Sequence, residues 1–181
     1  MKYNIVYLTL GGGKFLGQIM TTGLEKLNKE YFDPYDNNDS DWMSRENTFH
    51  YNENVAINGT HNLTFEEIKN LSNLIFVSAS DKESKNRIFD RNRYISTSMK
   101  DEVVMDLKMK YHDECLNYPK ANLINFFEFK HINSWRYDTF LESMEELERH
   151  FNLSFDRDIL KYGYQKWIKS NIKQRGTLND K

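Results

Sequence analysis

Two patterns of apolar residues take turns along this chain of 181 residues: short continuous runs, and apolar residues at helical spacing. Four short, nearly continuous apolar runs predict β-strands that are covered on both faces, as strands of a parallel sheet are. The clearest run is Leu-Ile-Phe-Val at 74–77. The predicted strands span residues 4–10, 54–58, 73–79 and 122–129.

Helical spacing of apolar residues separates and follows these runs. Thr64 and Glu67 have the spacing of a capping box, and Thr139 with Glu142 repeats it before the most amphipathic segment of the chain. A further helix is predicted after Ser98 and a last one over 156–172. The alternation of strands and helices indicates a layered α/β domain with right-handed crossovers. The apolar stripes of the last three helices are Val104, Leu107, Tyr111 and Cys115; Phe140, Met144, Leu147 and Phe151; and Leu160, Tyr164, Trp167 and Ile168.

Composition narrows the class of protein. The formal net charge is −2, so the chain as a whole has no basic field that would hold nucleic acid. A single cysteine, Cys115, excludes an internal disulfide framework. No apolar run is long enough to span a bilayer, and we predict a soluble, cytoplasmic protein, in the host cell if its source is viral. We expect one domain over 1–175, with a long loop or lid at 29–53 and a frayed tail at 176–181.

The first candidate for chemistry follows the first predicted strand. Gly11, Gly12, Gly13 and Lys14 connect that strand to a helical pattern. A glycine turn that leads into a helix aims backbone N–H groups at an anion, and the helix N-terminus adds partial positive charge. The run lacks the spacing and the Ser/Thr of a Walker motif. A plain tight turn between a strand and a helix is the alternative.

Two further candidates follow the second and third predicted strands. His61 lies at a predicted strand end, where a general base with a proton affinity near neutral pH would be useful. A histidine that caps a turn is the alternative. After the third strand, hydroxyl and basic residues would suit a second anionic group, or would form a solvated helix face instead. These residues are Ser78, Ser80, Lys82, Ser84, Lys85, Arg87, Arg91 and Arg93.

The order of these motifs resembles the sulfotransferase branch of the P-loop fold, in particular small, divergent members common in bacteriophage genomes. The run 12–16, Gly-Gly-Lys-Phe-Leu, stands where such proteins often have Gly-Gly-Asn-Phe-Leu, and the run 58–61 is similar to their strand ending in Thr-His. Glu128 and the last two predicted helices also resemble these sequences. The resemblance implies a three-layer P-loop NTPase-like domain with a mainly parallel sheet of about four to five strands.

The resemblance also implies a reaction and its residues. The donor would be PAPS (3′-phosphoadenosine 5′-phosphosulfate), and the acceptor a hydroxyl group of a small molecule or glycan. His61 would take the acceptor's proton, and Lys14 would stabilise the charge on the transferred group. No metal is expected. The residues that would hold the donor are Gly11, Gly12, Gly13, Lys14, Phe15, Ser80, Ser84 and Arg87.

One departure from this pattern keeps other functions open. The usual Arg-Asn-Pro-x-Asp segment that holds the donor's 3′-phosphate is missing, and Ser80, Ser84 and Arg87 occupy that region only by position. A kinase-like phosphotransferase on the same fold, or a P-loop module that binds a nucleotide without catalysis, are the alternatives.

Overall fold

In the computed structural model, the described residues are 2–7, 12–25, 55–59, 64–78, 102–130 and 136–179. They form four strands, five α-helices and one short 3-10 segment, Lys120–Asn122. The strands are β1 (Tyr3–Tyr7), β2 (Val55–Gly59), β3 (Leu74–Val77) and β4 (Phe126–Phe129). The helices are α1 (Gly13–Glu25), α2 (Phe65–Lys69), α3 (Glu102–Asn117), α4 (Tyr137–Phe151) and α5 (Arg157–Asn179).

The four strands pair in the order β2-β1-β3-β4, and all three pairings are parallel. Tyr7 is in register with Gly59 on one side and with Val77 on the other, so three strands end at one level. This confirms the predicted α/β class and parallel sheet, with the strand number at the lower end of the expected range. The predicted loop or lid at 29–53 lies outside the described residues.

Helices cover both faces of the sheet. One face contributes Tyr3, Ile5 and Val77 to a large core with α1, α4 and α5. The other face contributes Val6 and Phe76 to a smaller core with α2 and α3. The chain therefore folds as a sheet between two helical layers.

The two layers follow from the path of the chain. The crossover through α1 moves from β1 to a neighbour on one side, while the crossovers through α2 and α3 move in the opposite direction. Crossovers of one hand must then lie on opposite faces, which is where the cores place these helices.

Aromatic rings join the first helix to the last. Phe15 stacks on Trp167 with ring centroids 4.7 Å apart. Near the other end of α1, a Cβ added at Gly23 would overlap the ring of Phe155. The start of α1 therefore lies beside the middle of α5 and the end of α1 beside the residues just before α5, so the two helices run antiparallel.

Two strands start later than the sequence pattern predicts. The predicted third and fourth strands begin at Asn73 and at residue 122, whereas β3 and β4 begin at Leu74 and Phe126. Asn73 and Asn125 have φ angles of 47° and 51°, which is left-handed backbone and cannot continue a strand. Asparagine tolerates this conformation better than most residues do, and each of these asparagines therefore marks the position after which the strand begins.

The capping box predicted at Thr139 is wrong, while the one at Thr64 is confirmed. α4 begins at Tyr137, and its cap residue Arg136 makes no side-chain cap hydrogen bond. The ring of Tyr137 packs on Tyr164 at 5.4 Å, so tertiary packing extends the helix toward its N-terminus. At α2, the Thr64 hydroxyl and the Glu67 carboxylate cap each other's main chain as predicted.

The predicted apolar stripe of α3 is wrong at one position. Leu107 is 61% exposed, while His112 is fully buried against the ring of Phe76. Leu107 lies five residues before His112, about 7 Å along the helix. At 3.6 residues per turn the two side chains also lie about 140° apart around the helix, and the buried face is the one that carries His112 and Cys115.

The last helix starts next to its predicted first residue and is longer than predicted. The Asp156 carboxylate accepts hydrogen bonds from the main-chain N–H groups of Asp158 and Ile159. α5 ends at Asn179 rather than near residue 172. Among the described helices, none has both the length and the apolar composition needed to cross a bilayer.

Candidate functional site

The order of the strands puts a candidate ligand site at the carboxyl ends of β1 and β3. Successive connections leave β1 in one direction and return past it in the other, which makes this pair the switch point of the sheet. Ligands of open α/β sheets bind outside the carboxyl ends of the strands at such a point. Several doubly wound families share this strand order, so it supports the location of a site and not one family.

The turn from β1 into α1 requires glycine at Gly12. Its φ is 86°, a conformation that side chains with a Cβ rarely adopt. The Leu16 N–H donates to the Gly12 carbonyl at 3.0 Å, and this bond opens the helical ladder. The main-chain N–H groups of residues 13–15 therefore precede that ladder and point out of the helix end.

Gly13 is required for a different reason. A Cβ added there would overlap the ring of Tyr7, the last residue of β1. The missing side chain lets the helix start directly against the strand end. Tyr7 is thus a wall of the candidate site, which the sequence motif alone did not indicate.

The next two residues of the turn lie in different environments. Lys14 is half-buried at the second position of α1. The ring of Phe15 is only 2% exposed, because it stacks on Trp167 and lies 5.8 Å from Phe140. Phe15 can therefore meet a ligand only through its main chain, while Lys14 can contribute its side chain.

The electrostatics at the start of α1 favour an anion. Helix N-termini carry partial positive charge, which acidic residues of the first turn often offset. The first turn of α1 contains no acidic residue. Within the first turn of α1, no carboxylate therefore offsets the positive end of the helix.

A second polar group lies at the carboxyl ends of β3 and β4. The Glu128 carboxylate contacts the ammonium groups of Lys120 at 2.9 Å and Lys130 at 3.7 Å. The Ser78 hydroxyl donates to the same carboxylate. Burial opposes ionisation of Glu128, but Lys120, Ser78 and Lys130 outweigh it and lower the pKa of the carboxyl group.

Several predicted site residues lie outside the described part of the chain, and their assignments remain predictions. β2 ends at Gly59, so His61 follows two residues beyond the partner of Tyr7. The structure thus brings together the strand ends that carry the predicted groups. The residues outside the described part are Gly11, His61, Ser80, Lys82, Ser84, Lys85, Arg87, Arg91 and Arg93.

Sequence reasoning missed Tyr7, Lys120 and Lys130. The signal for Lys120 and Lys130 is the sequence Phe-Phe-Glu-Phe at 126–129, in which one carboxylate interrupts an aromatic strand and implies nearby cations. Tyr7 gave no comparable signal, because its contact with Gly13 depends on how α1 leaves the sheet.

Comparisons with known proteins identify no relative. No protein-family model, curated protein or solved structure matches this chain. Within the described ranges, no group of three or more His, Cys, Asp or Glu side chains could hold a metal ion.

Proposed function

We propose that this chain is a sulfotransferase-like enzyme that binds the phosphosulfate end of PAPS at the turn between β1 and α1. The observation that carries the proposal is the pair of obligatory glycines, Gly12 with its left-handed φ and Gly13 against Tyr7. They set the start of a helix at the switch point of the sheet, where an oxyanion would meet main-chain N–H groups.

The residues at this turn fit a sulfate or phosphate group. The N–H groups of 13–15 precede the helical ladder, and the first turn carries Lys14 and no carboxylate. The rest of the nucleotide is assigned by resemblance to Ser80, Ser84 and Arg87. The proposed ligand is therefore defined best at its phosphosulfate end.

The proposed reaction needs little covalent chemistry from the protein. The acceptor oxygen attacks the sulfur of PAPS, and the bond between that sulfur and the phosphate oxygen breaks to release adenosine 3′,5′-bisphosphate. His61 takes the proton of the acceptor hydroxyl. Lys14 and the N–H groups of the turn stabilise the negative charge that develops on the sulfuryl and bridging oxygens.

Calorimetric titration with adenosine 3′,5′-bisphosphate tests the nucleotide site. We expect binding that Lys14→Ala weakens by roughly 10-fold or more, the loss of one charge-assisted hydrogen bond. Lys169→Ala is the matched control, because Lys169 is an exposed lysine of α5. Equal affinities of the two variants would remove Lys14 from the site.

Radiolabelled transfer assays with His61→Ala test the proposed base. We expect the affinity for adenosine 3′,5′-bisphosphate to stay unchanged while sulfuryl transfer is lost. Unchanged turnover would exclude His61 as the base. ATP binding that requires magnesium, with no response to the bisphosphate, would favour a kinase-like phosphotransferase. Nucleotide binding without transfer by the wild-type chain would favour a binding module.

A further inference from the structure

Glu128 is an unusual residue for its position. It lies on β4 between phenylalanines and its side chain is only 14% exposed. Removing a carboxylate from water is costly, and an apolar residue at such a position is often as stable or more stable. The retention of a carboxylate here therefore calls for an explanation beyond packing.

Two lysines approach Glu128 from opposite ends of β4. Lys120 precedes the strand, and its ammonium group lies 5.1 Å from the centre of the Phe126 ring on its way to the carboxylate. Lys130 follows the last residue of β4 and reaches back to the same oxygen. One carboxylate thus pairs with two ammonium groups, so Glu128, Lys120 and Lys130 together carry a net positive charge.

The ammonium groups of the two lysines lie at different distances from the Glu128 carboxylate. Lys120 makes a hydrogen bond of 2.9 Å, whereas Lys130 lies at 3.7 Å and its side chain is 53% exposed. Lys120 is the partner that neutralises Glu128. Within the described part of the chain, Lys130 is the second and more distant cation on this carboxylate, and half of its side chain is open to solvent.

Lys130 lies at the carboxyl ends of the strands, as the glycine turn does. The Ser78 N–H donates to the Phe129 carbonyl at 2.9 Å, which fixes the ends of β3 and β4 together. β3 lies between β4 and β1, so the backbone of Lys130 stands about 10 Å to the side of the end of β1. Its side chain turns toward Glu128 on the α2–α3 face of the sheet, so a ligand that reaches it from α1 has to cross the strand ends. A ligand anchored at α1 can span that distance with a second anionic group.

We propose that Lys130 binds a second phosphate or carboxylate group of the ligand, and that Glu128 is the residue that positions it. The inference rests on the proposed function for the ligand's first anchor at α1. The second group can belong to the nucleotide or to an anionic acceptor, and the same ammonium group suits both.

Chemical labelling of lysines in the full chain tests this proposal. Acetylation with an N-hydroxysuccinimide ester, followed by mass spectrometry, reports which lysines a ligand covers. One arm contains adenosine 3′,5′-bisphosphate alone, and the other adds a disaccharide that contains glucuronic acid. We expect Lys14 and Lys130 to become at least 3-fold less reactive, while Lys161 on α5 stays unchanged.

The outcomes separate the two proposals. Protection of Lys130 by the bisphosphate alone assigns the second group to the nucleotide, and protection only with the disaccharide assigns it to the acceptor. Protection of Lys14 without Lys130 in both arms overturns this inference and leaves the proposed site at α1 intact. Protection of Lys130 without Lys14 counts against both proposals, because the second group is defined by a ligand anchored at α1. Protection of neither overturns both.

Affinity measurements with variants give an independent readout. We expect Lys130→Met to weaken binding of the protecting ligand about 10-fold and Lys130→Arg to restore most of it. Lys161→Met carries the same loss of charge and should change affinity less than 2-fold. Glu128→Gln should weaken binding without abolishing it. Equal affinities of Lys130→Met and Lys161→Met would overturn the proposal.

Discussion

The two ends of the parallel strands use polar groups in opposite ways. The strand starts form the amino edge of the sheet, and the strand ends form its carboxyl edge. At the amino edge, polar side chains bind the main chain and one another. At the carboxyl edge, a helix start without acidic residues and the second lysine beside Glu128 collect positive charge. One edge ties the strand starts together with its polar groups, and the other carries the helix start and the lysines on which the proposed binding depends.

Two asparagines at the amino edge make the same kind of hydrogen bond. The carbonyls of Asn73 and Asn125 accept from N–H groups at the starts of the neighbouring strands, those of Asn4 and Leu74. The Asn125 side chain donates to that of Asn73 at 2.8 Å, and Asn73 donates to the Lys2 carbonyl at 3.0 Å. The starts of β1, β3 and β4 are therefore tied by one chain of hydrogen bonds.

The largest effect is expected at the carboxyl edge, from Gly13→Ala. The new methyl group would overlap the Tyr7 ring, and we expect a loss of about 3 kcal/mol in the free energy of unfolding. Urea denaturation checks this as a lower midpoint with an unchanged slope. A variant within about 0.5 kcal/mol of wild type would show that the contact is not tight.

A double-mutant cycle sharpens that result. Adding Tyr7→Ala to Gly13→Ala should relieve part of the clash, so the double variant should lose less stability than the sum of the single changes. Gly12→Ala is the control. Its cost of about 1–2 kcal/mol comes from left-handed backbone, and Tyr7→Ala should not reduce it.

The next effect is expected at the amino edge, from Asn125→Ala. It removes a side-chain hydrogen bond and places alanine at a φ of 51°, for a combined loss of about 2 kcal/mol in unfolding free energy. Asn125→Gly removes the same bond without the backbone strain and should cost about half as much. Thermal unfolding of both variants tests this. Equal losses of unfolding free energy would mean that the left-handed backbone at position 125 contributes little.

Acid should weaken the carboxyl edge through Glu128. Its pKa is lowered in the folded protein, so its contribution to stability is complete above its ordinary pKa and is lost as the pH falls through the folded value. We expect Glu128→Gln to cost about 1 kcal/mol at neutral pH, since both lysines are half exposed. Unfolding curves at several pH values should show this difference shrinking in acid, and a constant difference would contradict the assignment.

The smallest effect is expected from Ser78→Ala. The buried hydroxyl is one of several groups that lower the pKa of Glu128, so its removal should raise that pKa and cost about 0.5 kcal/mol. Carboxyl chemical shifts measured by NMR against pH check the direction. A fall in the pKa would show that Ser78 does not donate to the carboxylate.

The sequence was sufficient to predict much of the fold. Continuous apolar runs located all four strands, and the capping box at Thr64 and the apolar spacing from about Asp156 marked two helix starts. The start of α4 was missed because the packing of Tyr137 on Tyr164 is a tertiary contact. The strand order also depends on contacts between distant segments, which local patterns do not encode.

The candidate site was predictable in part. The glycine turn is visible in sequence because Gly12 needs a special backbone conformation, and such positions are few. The contact of Gly13 with Tyr7 and the convergence of Lys120 and Lys130 on Glu128 are not visible there. They arise only when parallel strands are placed side by side in register.

The stacking of Phe15 on Trp167 has a consequence for biosynthesis. A nascent chain has made the glycine turn long before it has made its aromatic support, since the two are separated by most of the polypeptide. The helix that begins at Gly13 can reach its final packing only after Trp167 leaves the ribosomal exit tunnel. Ribosomes stalled upstream of that codon should therefore display an N-terminal segment that is easily cleaved by protease, and protection should arise late in translation.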